Sequence, residues 1–246
     1  MSFQTVNNYF EFKQFTVRQD KTTMKVGSDS VLLGSWITVN GTERNVLDIG
    51  TGTGLLALMT AQRTLNAKIV AVEIDLLAYE QACENISRSK WSERITVVNA
   101  DINDYHPQDC FDLIISNPPY FENSLKSMDT RKNFARHDDS LSLQRLIDCV
   151  HRLLSDSGRF ALILPAHRIS SIVKLAETHS LFPVKQLNVK PKDIKPVNRV
   201  IMEFGRKQEI FEENTLTLRT DTGKYSDDYK HITTDFYKHL REPAKN

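Results

Sequence analysis

From Asn45 to about Gln186, short runs of β-branched and apolar residues alternate with segments whose apolar positions recur at helical spacing. Val46-Leu47-Asp48-Ile49 is the first run; it ends in a glycine turn, and the apolar stretch Leu55 to Leu65 follows. Ile69 to Ile74 predicts a buried strand, and Leu76, Tyr79, Cys83 and Ile86 predict one face of the helix after it. Ile95 to Val98 and Phe111 to Ile115 predict two more strands. Leu143, Leu146, Ile147, Val150 and Leu154 recur at i, i+3, i+4, i+7 and i+11, an amphipathic helix. Gly158 then opens a strand over Phe160 to Leu164. Such alternation predicts an α/β fold with a parallel sheet and helices on both faces.

The flanks differ. Phe10, Phe12, Phe15 and Val17 lie near period 2, followed by Val26, which predicts a short hairpin before a helix from about Ser28. Residues 1–44 are therefore expected to pack on a core spanning 45–246 as one structural domain. Beyond the alternation, residues 187–246 hold a strand candidate, Arg199 to Phe204, a polar stretch and a tail rich in Tyr and Thr. One long polar segment, Glu122 to Ser140, separates a strand from a helix, and loops of that length in a compact domain are often functional.

Composition narrows the partners. The 246 residues carry 32 Lys and Arg against 31 Asp and Glu, so no global field announces a nucleic acid or a membrane, and any basic surface must be local. Cys83, Cys110 and Cys149 are odd in number and widely spaced, which suits reduced thiols in a cytosol. Met1 to Phe10 has neither a basic nor an apolar signal region, and no apolar run approaches membrane-spanning length. The expectation is a soluble cytoplasmic chain. The histidines stand singly without ligand spacing, so no metal is assigned.

The strongest local signal is Asp48-Ile49-Gly50-Thr51-Gly52-Thr53-Gly54 at the end of the first core strand. Glycines there let backbone approach a ligand and offer N–H groups at a helix N-terminus. The spacing is G-x-G-x-G with Leu55 next, so the dinucleotide fingerprint fails, and no P-loop Lys follows. The acidic Asp48 suits a ligand bearing an ammonium group and no phosphate. Glu73 ends the next strand, where a carboxylate can hold both ribose hydroxyls, and Asp101 follows the third, in reach of an adenine amino group. Each acid alone also fits an N-cap or turn. The ordered set spells S-adenosylmethionine.

The fourth core strand ends in Ser116-Asn117-Pro118-Pro119-Tyr120. Two prolines fix the backbone and remove two donors, so the Pro118 carbonyl and the Asn117 side chain are two acceptors aimed into the crevice. Tyr120 adds a face on which a planar group can stack. Here the sequence resembles the class I S-adenosylmethionine methyltransferases that methylate planar exocyclic nitrogens through a (D/N)PP(Y/F) motif, whose sheet is Rossmann-like. Phe12-Lys13-Gln14-Phe15, Met24-Lys25-Val26-Gly27-Ser28-Asp29 and Leu32-Leu33-Gly34 resemble the N-terminal signature of the bacterial valine-tRNA adenine-37 N6-methyltransferases. Thr222-Gly223-Lys224-Tyr225-Ser226 and Thr234-Asp235-Phe236-Tyr237 fit the same family, so the resemblance covers nearly the whole chain.

That resemblance implies that Gly50, Gly52, Gly54 and Leu55 line the methionine moiety, Glu73 the ribose, and Asp101 with Ile102 the adenine. It implies that Lys25 and Ser28 close over the methionine carboxylate, and that Asn117, Pro118, Pro119 and Tyr120 form the catalytic motif. For tRNA, two basic groups are candidates: Lys126, Arg131, Lys132 and Arg136 in the long loop, and a stretch from Lys185 to Lys207 containing Lys190, Lys192, Lys195 and Arg199. Methylation of a protein glutamine, of adenine in DNA or rRNA, and an inactive adenosylmethionine-binding RNA module are the competing readings.

Overall fold

The computed structural model describes residues 8–22, 24–119 and 143–240. Tyr120 and the loop cations Lys126, Arg131, Lys132 and Arg136 lie outside the described residues.

The N-terminal alternation folds as expected, into the antiparallel hairpin β1 (Tyr9–Glu11) and β2 (Thr16–Arg18), followed by α1 (Ser28–Trp36). The core then runs β3 (Asn45–Ile49), α2 (Leu55–Arg63), β4 (Lys68–Glu73), α3 (Leu76–Ser87), β5 (Ile95–Asn99) and β6 (Phe111–Ser116). After them come α4 (Leu143–Leu153), β7 (Leu154–Pro165), α5 (Ile169–Glu177), β8 (Phe182–Lys192), β9 (Arg199–Gly205), β10 (Glu212–Arg219) and α6 (Asp227–Ile232). Eight strands form one sheet in the order β10-β8-β9-β7-β6-β3-β4-β5.

The sheet is parallel from β5 across to β7, but β9 runs antiparallel to both β7 and β8. Only residues 193–198 join β8 to β9, too few for a parallel crossover, so the chain must turn back on itself. The C-terminal β-rich extension thus widens the central sheet. Successive strand residues face opposite layers. Val46 packs into a core with α1, α2 and α3, whereas Leu47 packs into the second core with α4 and α5.

The face expected for α3 is shifted: Ile86 is buried as expected and Tyr79 and Cys83 are half-buried, but the first position is not. Leu76 is 57% exposed, and the buried face is Ala78, Gln81, Ala82, Asn85 and Ile86. The reason is that this face receives the N-terminal segment through hydrogen bonds, which apolar periodicity does not register. Gln81 Oε1 accepts from the Lys21 N–H at 3.0 Å, and Asn85 Oδ1 from the Arg18 N–H at 2.8 Å. Both chain ends meet over this layer: Phe12 and Tyr237 form a β-bridge, with their rings stacked at 5.9 Å.

Candidate active site

The C-terminal ends of β3, β4, β5 and β6 share one edge, and the strand order reverses at β3. Open α/β sheets bind ligands in the crevice at such a point. Four of the expected side chains, Asp48, Glu73, Asp101 and Asn117, are delivered there by four neighbouring strands.

At the end of β3 the chain turns through Gly50 and Gly52 with φ of 68° and 58°, which side chains rarely tolerate. A Cβ built on either would meet nothing within 4 Å, so the turn is bordered by open space. The expectation that its N–H groups face a ligand needs correcting. Gly50 and Thr51 donate to the Val72 carbonyl at 2.9 and 3.1 Å, Gly54 to the Thr51 carbonyl at 3.0 Å, and Gly52 to Glu73 Oε2 at 2.8 Å. A turn that satisfies these donors internally suits a ligand without phosphate. Leu55 begins α2 and is buried.

Asp48 lies beneath this turn and is fully buried. Its Oδ2 accepts from the Thr51 hydroxyl and from the Ala57 N–H, bracing the start of α2, while Oδ1 is buried with no hydrogen-bond partner. Burial pushes its carboxyl up to about 7, against those two hydrogen bonds. An acid with an orphaned oxygen under the turn fits a ligand with a cationic group above it.

Glu73 ends β4, and its Oε1 accepts from the Asp75 N–H at 3.0 Å. Burial raises its carboxyl too, partly offset by those backbone hydrogen bonds. Asn99 Nδ2 donates to the Glu73 carbonyl at 2.8 Å and so ties β5 to the same corner. Ile74 and Leu76, large apolar residues just after Glu73, are exposed. Asp101 Oδ1 closes a turn, accepting from the Asn103 N–H at 2.8 Å and from its side chain at 2.6 Å. Ile102 is buried in the second core, where its carbonyl accepts from Arg152.

Lys25 and Ser28 belong to the segment leading into α1. The Lys25 ammonium donates to the Gln19 carbonyl, and Ser28 opens α1 beside a cleft lined by Phe10, Tyr225 and Tyr237. Asn117 follows β6, whose last residue, Ser116, donates to the Ile49 carbonyl at 3.0 Å and locks β6 to the end of β3. Asn117 Nδ2 donates to the Ser30 hydroxyl oxygen at 2.7 Å. Sequence reasoning missed Ser30, which reaches Asn117 across 87 residues of chain. Pro118 is buried and Pro119 exposed.

The basic stretch divides between the two ends of the sheet. β8 is parallel to β10 and runs in the same sense as β7, so Lys190 and Lys192, with Lys195 in the turn after them, lie at the site's edge. Arg199 also starts there, and its Nε pairs with Asp29 Oδ2 at 2.9 Å, which ties it to α1. Lys185 lies nearer the opposite end over the Trp36 ring, and Arg206 donates to the carbonyls of His151 and Leu154. Among the described residues no group of His, Cys, Asp or Glu is arranged to hold a metal, and no helix is long and apolar enough to cross a membrane.

A mixed, largely parallel α/β sheet with a glycine turn, an acid ending the next strand and an N-P-P motif at the switch point has the architecture of a class I methyltransferase. Residues 22–168 match the model of the methyltransferase small domain. The chain is 45% identical, over 94% of its length and 98% of the relative's, to the tRNA1(Val) (adenine(37)-N6)-methyltransferase of Trichodesmium erythraeum. It is 44% identical, over 96% of its length and 99% of the relative's, to that of Bacteroides thetaiotaomicron. The chain belongs to this family, the tRNA1(Val) (adenine(37)-N6)-methyltransferases. Among solved structures, a "predicted O-methyltransferase" from Agrobacterium tumefaciens shares the fold, with a TM-score of 0.65 at 17% identity over 87% of this chain and 99% of that one.

Proposed function

We propose that this enzyme uses S-adenosyl-L-methionine to methylate the exocyclic N6 of adenine 37 in valine tRNA, acting in the cytoplasm. One observation carries the reading: Asn117, at the end of β6, stands across the strand-order reversal from Glu73 and the glycine turn, with its amide donating to Ser30. In this reading the turn from Gly50 to Gly54 with Leu55 borders the methionine moiety, and Glu73 holds the ribose. Asp101 and the Ile102 backbone border the adenine, and the cationic tail sits above Asp48.

S-adenosyl-L-methionine, held by these residues, would supply an electrophilic methyl on a sulfonium whose sulfur is the leaving group. The chain's own contribution is to prepare the nitrogen. An aromatic amine is a weak nucleophile because its lone pair is delocalised into the ring. Asn117 Oδ1 and the Pro118 carbonyl accept its two N–H bonds, which favours pyramidal nitrogen and frees the lone pair. Positive charge then grows on that nitrogen, so both hydrogen bonds strengthen in the transition state. The methylated nitrogen sheds one proton to water, and no strong base is required. The target base must leave its stack, and Tyr120 offers a replacement surface.

The test is transfer of labelled methyl from S-adenosylmethionine to tRNA, DNA and release-factor protein in parallel, followed by nucleoside analysis. Label recovered as N6-methyladenosine from tRNA supports the reading. Label in protein glutamine or in DNA selects the corresponding alternative.

A further inference from the structure

We propose that Ser30 is a positioning residue that anchors the Asn117 amide where it meets the substrate. The proposal rests on the reading of Asn117 as an acceptor for the target amine. A side-chain amide is a donor at one end and an acceptor at the other, and its terminal torsion has a broad two-fold profile. Turned half a revolution, Asn117 would offer N–H groups to an amine that is itself a donor, and the lone pair would gain nothing. The motif therefore works only if the side chain is held in place. The Ser30 hydroxyl accepts from Nδ2 at 2.7 Å and so holds the side chain with its nitrogen toward α1; because a hydroxyl can donate as well as accept, what Ser30 supplies is an anchor for the amide rather than a choice between its two ends.

Ser30 is itself firmly held. Its neighbour Asp29 pairs with Arg199 at the start of β9, and the Val31 N–H donates to the Gly27 carbonyl. Val31, Leu32 and Leu33 are completely buried or nearly so, and Gly34 lies against Met59 of α2. The hydroxyl is thus fixed to the same sheet and helix layer that carries the glycine turn. Preorganisation of this kind acts on the chemical step, since it matters most where charge develops.

The experiment compares Ser30→Ala, Ser30→Thr and Ser30→Val, each alone and the first also combined with Asn117→Ala. Single-turnover rates and the KM values for tRNA and S-adenosylmethionine are measured on protein whose thermal unfolding has been recorded. Ser30→Ala is expected to lower the rate by about 10-fold, with both KM values within about twofold, because an unanchored amide still reaches the productive rotamer part of the time. Ser30→Thr, which keeps an acceptor oxygen, should hold most of the rate, and Ser30→Val, its isostere without one, should lose it. That pair carries the test even if the alanine variant folds poorly. In the Asn117→Ala background, Ser30→Ala should cost nothing further.

A wild-type rate for Ser30→Val, or a full 10-fold loss on top of Asn117→Ala, overturns the proposal and leaves the Asn117 reading standing. A near wild-type rate for soundly folded Asn117→Ala overturns that reading instead, so the two failures are distinct.

Discussion

The carboxylate of Glu73 accepts a hydrogen bond at 2.8 Å from the N–H of Gly52, so the acid that ends β4 also closes the turn that ends β3. One side chain thereby couples the proposed ribose site to the shape of the loop beside it. Glu73→Ala is expected to weaken S-adenosylmethionine binding by at least about 10-fold, through lost contacts and a loosened turn together. Affinity for tRNA should stay within about twofold. Glu73→Gln should rescue little, because its amide must set an N–H against the Gly52 or the Asp75 donor. Calorimetric titration of the cofactor and filter binding of tRNA decide it, and equal losses for both ligands would point to a fold defect.

Asp48 makes stability depend on pH. Its carboxyl is pushed up to about 7 by burial, well above an unfolded aspartate. Between about pH 4 and 7 the folded protein therefore holds a proton that the unfolded chain has released, and stability falls as pH rises through that window. Asp48→Asn imitates the protonated side chain and removes this contribution. Urea unfolding at a series of pH values should show the variant gaining on the wild type by up to about 1.4 kcal/mol per pH unit across the window. The advantage should level off above it. A difference that is flat from pH 4 to 8 would show that Asp48 does not titrate there.

Lys190, Lys192 and Lys195 are the lysines of the C-terminal stretch that the sheet brings to the site's edge. Replacing all three with Gln is expected to weaken tRNA binding and to flatten its dependence on salt by up to roughly three counterions' worth of slope. Cofactor affinity should be unchanged. Neutralising Lys185 or Lys207, outside that edge, should leave the slope alone. An unaltered slope in the triple variant would return these lysines to the role of a solvated surface.

Most of the core and the candidate site was legible because its signals are local. A glycine turn, a strand-end acid and N-P-P each need only a few neighbouring residues to be read. What escaped depends on contacts distant in sequence. Ser30 carries no signal until α1 is placed against the end of β6. The buried face of α3 was misread because Gln81 and Asn85 are polar, and only the docked N-terminal segment makes their burial favourable. Arg199 looked like one more surface cation until Asp29, 170 residues away, supplied its partner.

Asn85 offers the sharpest check on that docking. It is almost wholly buried, accepts from the Arg18 N–H and donates to the carbonyls of Arg18 at 2.9 Å and Thr53 at 2.8 Å. A single amide therefore pins the N-terminal hairpin and the glycine turn to α3. Asn85→Ala removes all three bonds and leaves three backbone groups to find water, at a cost of about 2–4 kcal/mol. The loss should be uneven: amide exchange should quicken at Arg18 and around Thr53, while strands β7 and β9 keep their protection. Asn85→Asp retains the bond from Arg18 but loses both donations and buries a charge, so it should be no better than alanine above neutral pH. If hydrogen exchange in Asn85→Ala rises uniformly, the residue is an ordinary core contact. If it does not rise at Arg18 at all, the hairpin is held by its aromatic packing, with Phe12 against Phe15 and Tyr237, and Asn85 is dispensable to it.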